Sequence, residues 1–304
     1  MNILSVSEMR KILPVKPDFL MLDRAQVVNE NKLIGWKCVT MDEPCFLGHF
    51  PGHPILPGVL QCEAVAQLAE IGVRDRLDPN HDRDIYIKKI SNVKFRKPNN
   101  PGDRIRIEAD ILSVENGEAA VSAVLYNNAG ESSSGSFVLA VRDKVKSIPP
   151  PADFNEFDKS ADSLMDVNKI MDVIPHRLPF LFVDSVAKID DSAIYGVKNA
   201  TNTEAIFREY PDGYMVMTGS VQPEIIAQAG CIHVLTNEAM KGKIAYFMGI
   251  ESAEFFAPIF PGDQMVMKMK MPPGTRRAGK GVGEMIVDGK VVMKLVMSYM
   301  LVDR

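Results

Sequence analysis

The chain has 304 residues, 46% of them hydrophobic and 24% charged, with a formal net charge of −4. That composition fits a soluble globular protein long enough for two domains, and it excludes the global basic field that nucleic acid would call for. No apolar run approaches the ~18 residues needed to span a bilayer, and Cys38, Cys45, Cys62 and Cys231 show no CxxC spacing. With no basic-then-apolar signal pattern in "MNILSVSEMRKILP", the expectation is a cytoplasmic protein with reduced thiols, no membrane contact and no nucleic-acid partner.

In chain order, a short entry helix or turn and an extended segment come first. A Pro/Gly-rich loop, "GHFPGHPILPG" (48–58), follows and opens into a largely apolar helix at about 58–76. That helix is apolar nearly all round in its first turns, so it should be wrapped by a sheet and not laid on one. "RIRIEADI" then alternates Ile105, Ile107, Ala109 and Ile111 on one face, the period of a half-buried antiparallel strand. A hairpin pattern around "YNNAGE" (126–131) ends this part. The polar, Pro-rich "SIPPPADFNEFDKSADS" (147–163) reads as a linker.

The same order then repeats. "FLFVDS" (180–185) matches "FLMLDR" (19–24), Glu224 matches Glu63, and "PGDQMVMKMK" (261–270) matches "PGDRIRIEAD" (101–110), at an offset of 160–161 residues throughout. The second helix is expected at 220–240, the second alternating strand in "MVMKMKM" with Met265, Met267, Met269 and Met271 on one face, and the second hairpin around "VDGK" (287–290). This is a tandem duplication, with one copy in 1–146 and the other in 164–304. The fold expected is α+β: two hot-dog units, each a curled antiparallel sheet around one long helix, paired as a pseudo-dimer. The 18 methionines fit either the lining of a pliable apolar cavity or simple composition bias.

Chemistry gathers at residues 48–67. His49 can accept a proton at neutral pH. A glutamate on an apolar helix, Glu63 here, is expected to have its pKa raised by desolvation and so to act as an acid. Gly58 offers a backbone N–H at a helix start with no Cβ in the way. Base, neutral acid and oxyanion-type donor suit removal of a proton α to a carbonyl with loss of a β-hydroxyl. A hydrogen-bonded structural histidine and a solvated glutamate remain the alternative on this pattern alone. His49 and His53 are four apart, but "FPG" between them prevents a helix and no Cys/His/Asp set completes a tetrahedron, so no metal is expected. His81, His176 and His233 read as structural.

"LGHFPGHPILPGVLQCEAVAQ" closely resembles the signature of the β-hydroxyacyl-acyl carrier protein dehydratases of bacterial fatty acid synthesis. "IPHRLPFLFVDSV" (174–186) and "YFMGIESAEFFAPIFPGDQM" (246–265) resemble two further blocks of that family. The resemblance implies the hot-dog fold, elimination chemistry and an acyl carrier protein partner. It implies no redox or metal cofactor, since the phosphopantetheine arm arrives with the substrate. A glutamate at the acid position resembles the dehydratase-only branch, whereas the related dehydratase-isomerases carry aspartate. In the family each site takes its histidine from one protomer and its acid from the other. Carried over, His49 with the Gly58 N–H faces Glu224. Tyr210, where His49 aligns, faces Glu63 beside Gly219 and leaves that second site without a base.

The segment "KKISNVKFRK" (88–97) holds Lys88, Lys89, Lys94, Arg96 and Lys97, where the second copy has "GIESAEFFAP". It reads either as a docking strip for an acidic carrier protein or as a solvated strand face. A hot-dog acyl thioesterase and a non-catalytic acyl-binding subunit stand as rival functions. Acyl length and homo-oligomerisation beyond the pseudo-dimer stay open.

Overall fold

The computed structural model describes residues 3–150, 165–190, 192–240, 242–271 and 277–303; the expected linker, 147–163, lies largely outside the described residues. The first copy runs β1 (Ile3–Leu4), α1 (Val6–Ile12), β2 (Arg24–Asn29), β3 (Lys32–Cys38), α2 (Gly58–Leu77), β4 (Asp84–Phe95), β5 (Arg104–Glu115), β6 (Glu118–Asn127) and β7 (Gly130–Arg142). The second runs α3 (Val167–Val173), β8 (Ser185–Ile189), β9 (Ile194–Asn199), β10 (Phe207–Glu209), β11 (Met215–Met217), α4 (Gln222–Leu235), β12 (Lys243–Phe255), β13 (Gln264–Lys270), β14 (Ala278–Val287) and β15 (Lys290–Asp303).

Each long helix is enclosed by its own sheet, as its all-round apolarity requires. α2 touches β3 through β7, and α4 touches β9 and β12 through β15. The alternating strands point their apolar faces at these helices: Ile105, Ile107, Ala109 and Ile111 of β5 are buried, as are Met265, Met267 and Met269 of β13 and Met271 beyond it. Both expected hairpins form, Asn127 pairing with Gly130 and Val287 with Lys290. α4 is shorter than the expected 220–240, because its apolar run ends at Leu235 and only a 3₁₀ turn follows at Glu238–Met240. Pro223 is accommodated in the first turn of α4, where no intrahelical N–H donor is needed.

The two copies join edge to edge. Thirteen of the described strands form one sheet in the order β1-β2-β3-β5-β6-β7-β4-β12-β15-β14-β13-β9-β8, with β4 and β12 antiparallel across the junction. One pair of the two strands' opposite charges meets here. Lys89 on β4 stands opposite Glu254 on β12 and pairs with it at 2.9 Å. β10 and β11 form a separate two-stranded hairpin in the second copy, where the first has the histidine loop. No helix among the described residues is long and apolar enough to cross a membrane.

Candidate active site

Two loops from different copies meet at the site. The Gly48 carbonyl accepts the Arg177 N–H at 3.1 Å, and a Cβ on Gly48 would lie 1.9 Å from the Arg177 carbonyl oxygen. Only glycine permits that approach. The Arg177 guanidinium donates to the carbonyls of Met171, Ile174 and His176 at 2.7–2.9 Å, closing the C-terminal end of α3. This clamp sets His176 against His49, their ring centroids 5.8 Å apart. His49 also stacks on Phe50 at 4.0 Å and meets Phe180 edge-on at 5.3 Å. Its Nδ1 lies 2.8 Å from the Ile55 carbonyl. A carbonyl only accepts, so Nδ1 carries the hydrogen and Nε2 keeps its lone pair.

Glu224, in the first turn of α4, is 5% exposed. One turn on, Gln228 donates to Glu224 Oε1 at 3.0 Å and to the Phe180 carbonyl at 2.9 Å, and accepts the Phe182 N–H at 2.8 Å. His176 Nε2 stands 3.4 Å from the same Oε1. Side-chain nitrogen and oxygen atoms of His49, His176 and Glu224 all lie within 4.8 Å of one another, a cluster that the spacing of His49 and His53 in sequence does not show.

Burial, assisted by the nearby His176, pulls the His49 imidazole down to about 4 against the opposing pull of Glu224. At neutral pH it is an unprotonated base. Glu224 corrects an expectation. Burial does push its carboxyl up, but the nearby His176, with His49 and Gln228, outweighs it and holds the group below its ordinary value. The helix glutamate of this site rests as a carboxylate, not as a neutral acid.

These groups line a cavity of about 310 Å³. Gly58 heads α2 and lines it too; as the first helical residue its N–H has no acceptor within the helix. A Cβ there would lie 2.4 Å from the Phe95 ring. Away from the polar groups the lining turns apolar, with Ala227, Gly230, Val234, Met248, Met271 and Met297. Methionine therefore lines the cavity as well as filling the core of the second copy. Cys231 is also there, but burial pushes its thiol up to about 12, so it is not a thiolate nucleophile at neutral pH.

The duplicate site has closed. Tyr210 and Glu63, expected to face each other, are each bonded elsewhere. Tyr210 donates to Asp84 at 2.6 Å and accepts from Arg208 at 3.2 Å, and burial pushes its hydroxyl pKa well up, which rules it out as a base. Glu63, 1% exposed, accepts from Thr218 at 2.7 Å, from Ser220, and from Gln67 at 2.8 Å. Glu70 stands at the duplicate position of Cys231. Arg208 holds it by two hydrogen bonds of 2.8 and 2.9 Å that cross between copies. The space beside Gly219 is about 20 Å³, too little for an acyl chain.

Most of the basic strip is spent internally. Lys88 pairs with Glu118, Lys89 with Glu254, Arg96 with Glu131, and Lys97 donates to the Ala129 carbonyl. Lys94 is exposed, and Arg96 and Lys97 reach the cavity mouth. His81 bonds Asp75 at 2.8 Å and His233 the Asp190 carbonyl at 2.9 Å, as structural histidines do. His176 does not belong with them. The signal that could have found it was in the duplication: the matching first-copy position is Val15.

Residues 13–131 and 174–295 match the model of the FabA-like domain. The 3-hydroxyacyl-(acyl-carrier-protein) dehydratase FabZ of Geotalea uraniireducens (strain Rf4) is 42% identical over 125 residues, 40% of this chain and 86% of that protein. Among solved structures, the dehydratase domain from the CurJ module of curacin polyketide synthase aligns with a TM-score of 0.63 at 10% identity, over 96% of this chain and 98% of that one. A putative oleoyl thioesterase from Lactobacillus plantarum aligns with a TM-score of 0.57 at 7% identity, over 91% and 99%. At these identities the two structures share the fold alone.

Proposed function

The chain belongs to the FabA-like domain family, and we propose that it dehydrates β-hydroxyacyl thioesters carried by acyl carrier protein to trans-2-enoyl thioesters, without a cofactor of its own. The observation that carries this reading is the convergence of His49 from one copy and Glu224 from the other on one cavity with an apolar extension. The two copies, 1–146 and 164–304, then act as an intramolecular pseudo-dimer with one competent site, in the cytoplasm, where its cysteines stay reduced.

The proton inventory of the resting site suits the reaction. His49 Nε2 takes the Cα proton while the thioester oxygen, polarised by the Gly58 N–H, carries the developing charge. The Cα–H pair becomes the Cα=Cβ bond, and the Cβ–O pair leaves on oxygen. Glu224 is ionised at rest, so the proton that turns this oxygen into water is the one just taken from carbon, passed from the His49 imidazolium across the cluster to Glu224 and on. No net proton is consumed, and His49 and Glu224 return to their starting forms.

Incubation with β-hydroxyacyl carrier proteins of graded length, read by mass, tests the assignment. Loss of 18 Da, the mass of one water (about 18 by elementary composition), with the thioester intact supports dehydration. Release of free carrier thiol indicates a thioesterase, and binding without product a scaffold; either result overturns the proposal.

Carrier docking at the cavity mouth is tested separately. Lys94→Glu with Lys97→Glu is expected to raise KM for carrier-bound substrate several-fold, and more so at low salt, while a pantetheine thioester is turned over as before. Equal effects on both substrates would assign the strip to the strand face.

A further inference from the structure

We propose that His176 is the positioning residue of the reaction: it holds the Glu224 carboxylate on the His49 side of the cavity. This rests on the dehydratase reading above and on the difference between the two copies within one molecule.

Both helices carry the same carboxylate–glutamine pair. Gln67 donates to Glu63 and to the Phe19 carbonyl and accepts the Met21 N–H; Gln228 does the same for Glu224, Phe180 and Phe182. The glutamine therefore orients one carboxylate oxygen in either copy and cannot account for the difference between them. In the closed copy the remaining bonds to Glu63 come from the hydroxyls of Thr218 and Ser220, groups that do not titrate near neutrality. In the open copy the corresponding partner is an imidazole, His176, at 3.4 Å, where the duplicate position holds Val15.

His176 is also fixed in place. It is 5% exposed, its carbonyl accepts from Arg177 at 2.7 Å, and the Arg177 N–H is bound to Gly48, beside His49. The same clamp that presents the base thus aims the partner of the acid, a preorganised arrangement. The titratable groups facing Glu224 are His49, His176 and the Cys231 thiol, and the last is neutral. Of these, the His176 hydrogen bond is the largest influence that favours the carboxylate.

Two variants test this. His176→Leu keeps bulk and removes the donor; His176→Gln keeps a donor near the Nε2 position without the imidazole. For His176→Leu, kcat with a β-hydroxyacyl pantetheine thioester is expected to fall about 10- to 100-fold, the weight of one charge-assisted hydrogen bond, at unchanged KM. The Glu224 carboxyl, followed by ¹³C NMR, should titrate at higher pH, and His176→Gln should recover most of kcat. A folded Leu variant with wild-type kcat, or one whose loss leaves the Glu224 titration unmoved, overturns the proposal. If the Leu variant does not fold, the Gln variant decides: most of kcat retained with a Glu224 titration near that of wild type supports the proposal, and any other outcome overturns it. The titration needs no turnover, so a wild-type protein inactive on every thioester would sink the dehydratase reading while this measurement still judged the His176–Glu224 pair.

Discussion

Glu224→Gln is expected to abolish dehydration nearly completely, by ~10²–10⁴-fold in kcat, while Glu63→Gln leaves kcat within a factor of about two. The two glutamates are equivalent in sequence, each with a glutamine four residues on, so their contrast isolates the environment from the residue type. Glutamine at 224 keeps the shape and the bond to Gln228 but cannot pass a proton to the leaving oxygen. At 63 the change falls among Thr218, Ser220 and Gln67, and its cost appears in stability. One weakened buried polar contact is worth about 1–3 kcal/mol, read as a lowered Tm. Tyr210→His is expected to add no activity to wild type or to Glu224→Gln, because Arg208 and Glu70 occupy the ground a substrate would need. A β,γ-alkynyl thioester that alkylates the base should accordingly label one histidine per chain. An active Glu224→Gln protein with an inactive Glu63→Gln counterpart would place the site within the first copy and end the cross-copy assignment.

His49→Ala is the second large effect expected, a loss of ~10²–10⁴-fold or more with the fold retained. His49 sits in a loop and, among the described residues, its side-chain hydrogen bond goes to the Ile55 carbonyl of that loop, so circular dichroism and Tm should stay close to wild type. The pH profile carries a sharper test. Since burial holds His49 at about 4, kcat/KM should rise with pH through that value and be level by about pH 5.5, not near the ~6.5 of an ordinary histidine. The sign follows from the base being active unprotonated: acid protonates it and turns the reaction off. Glu224 is held low as well, and in the single-proton cycle its ionised form is the competent one. No alkaline fall should therefore follow from it. A kcat/KM that declined steadily from about pH 5 upward would mean that Glu224 must enter the reaction protonated, and would overturn the proton relay while leaving both residues in the site.

The two copies show where residue patterns suffice. Alternation in "RIRIEADI" and "MVMKMKM", the apolar helix at Gly58, and the turns at Asn127–Gly130 and Val287–Lys290 all express local burial and local backbone preference. Such features repeat with short periods, and they were legible. The proposed division of the site also starts from the sequence, because one copy carries "GHFPG" and the other "PHRLPFL", and a duplication displays what each half has lost. The extent of α4 was misjudged because nothing in 220–240 marks the stop at Leu235 as strongly as apolarity argues for continuation.

By itself, then, the sequence determined the duplication, the helix-in-sheet unit, and the residues from which a site could be assembled. The tertiary structure decided what those residues do. The proton affinity of Glu224 depends on His176, 47 intervening positions earlier in the chain and brought to 3.4 Å by the Gly48–Arg177 contact. The closure of the second cavity depends on Arg208 meeting Glu70, which lies 138 residues away. Periodicity records which side of an element is buried. Desolvation and Coulomb interaction depend on which groups come within a few ångströms in space, and no local pattern in the chain encodes those distances.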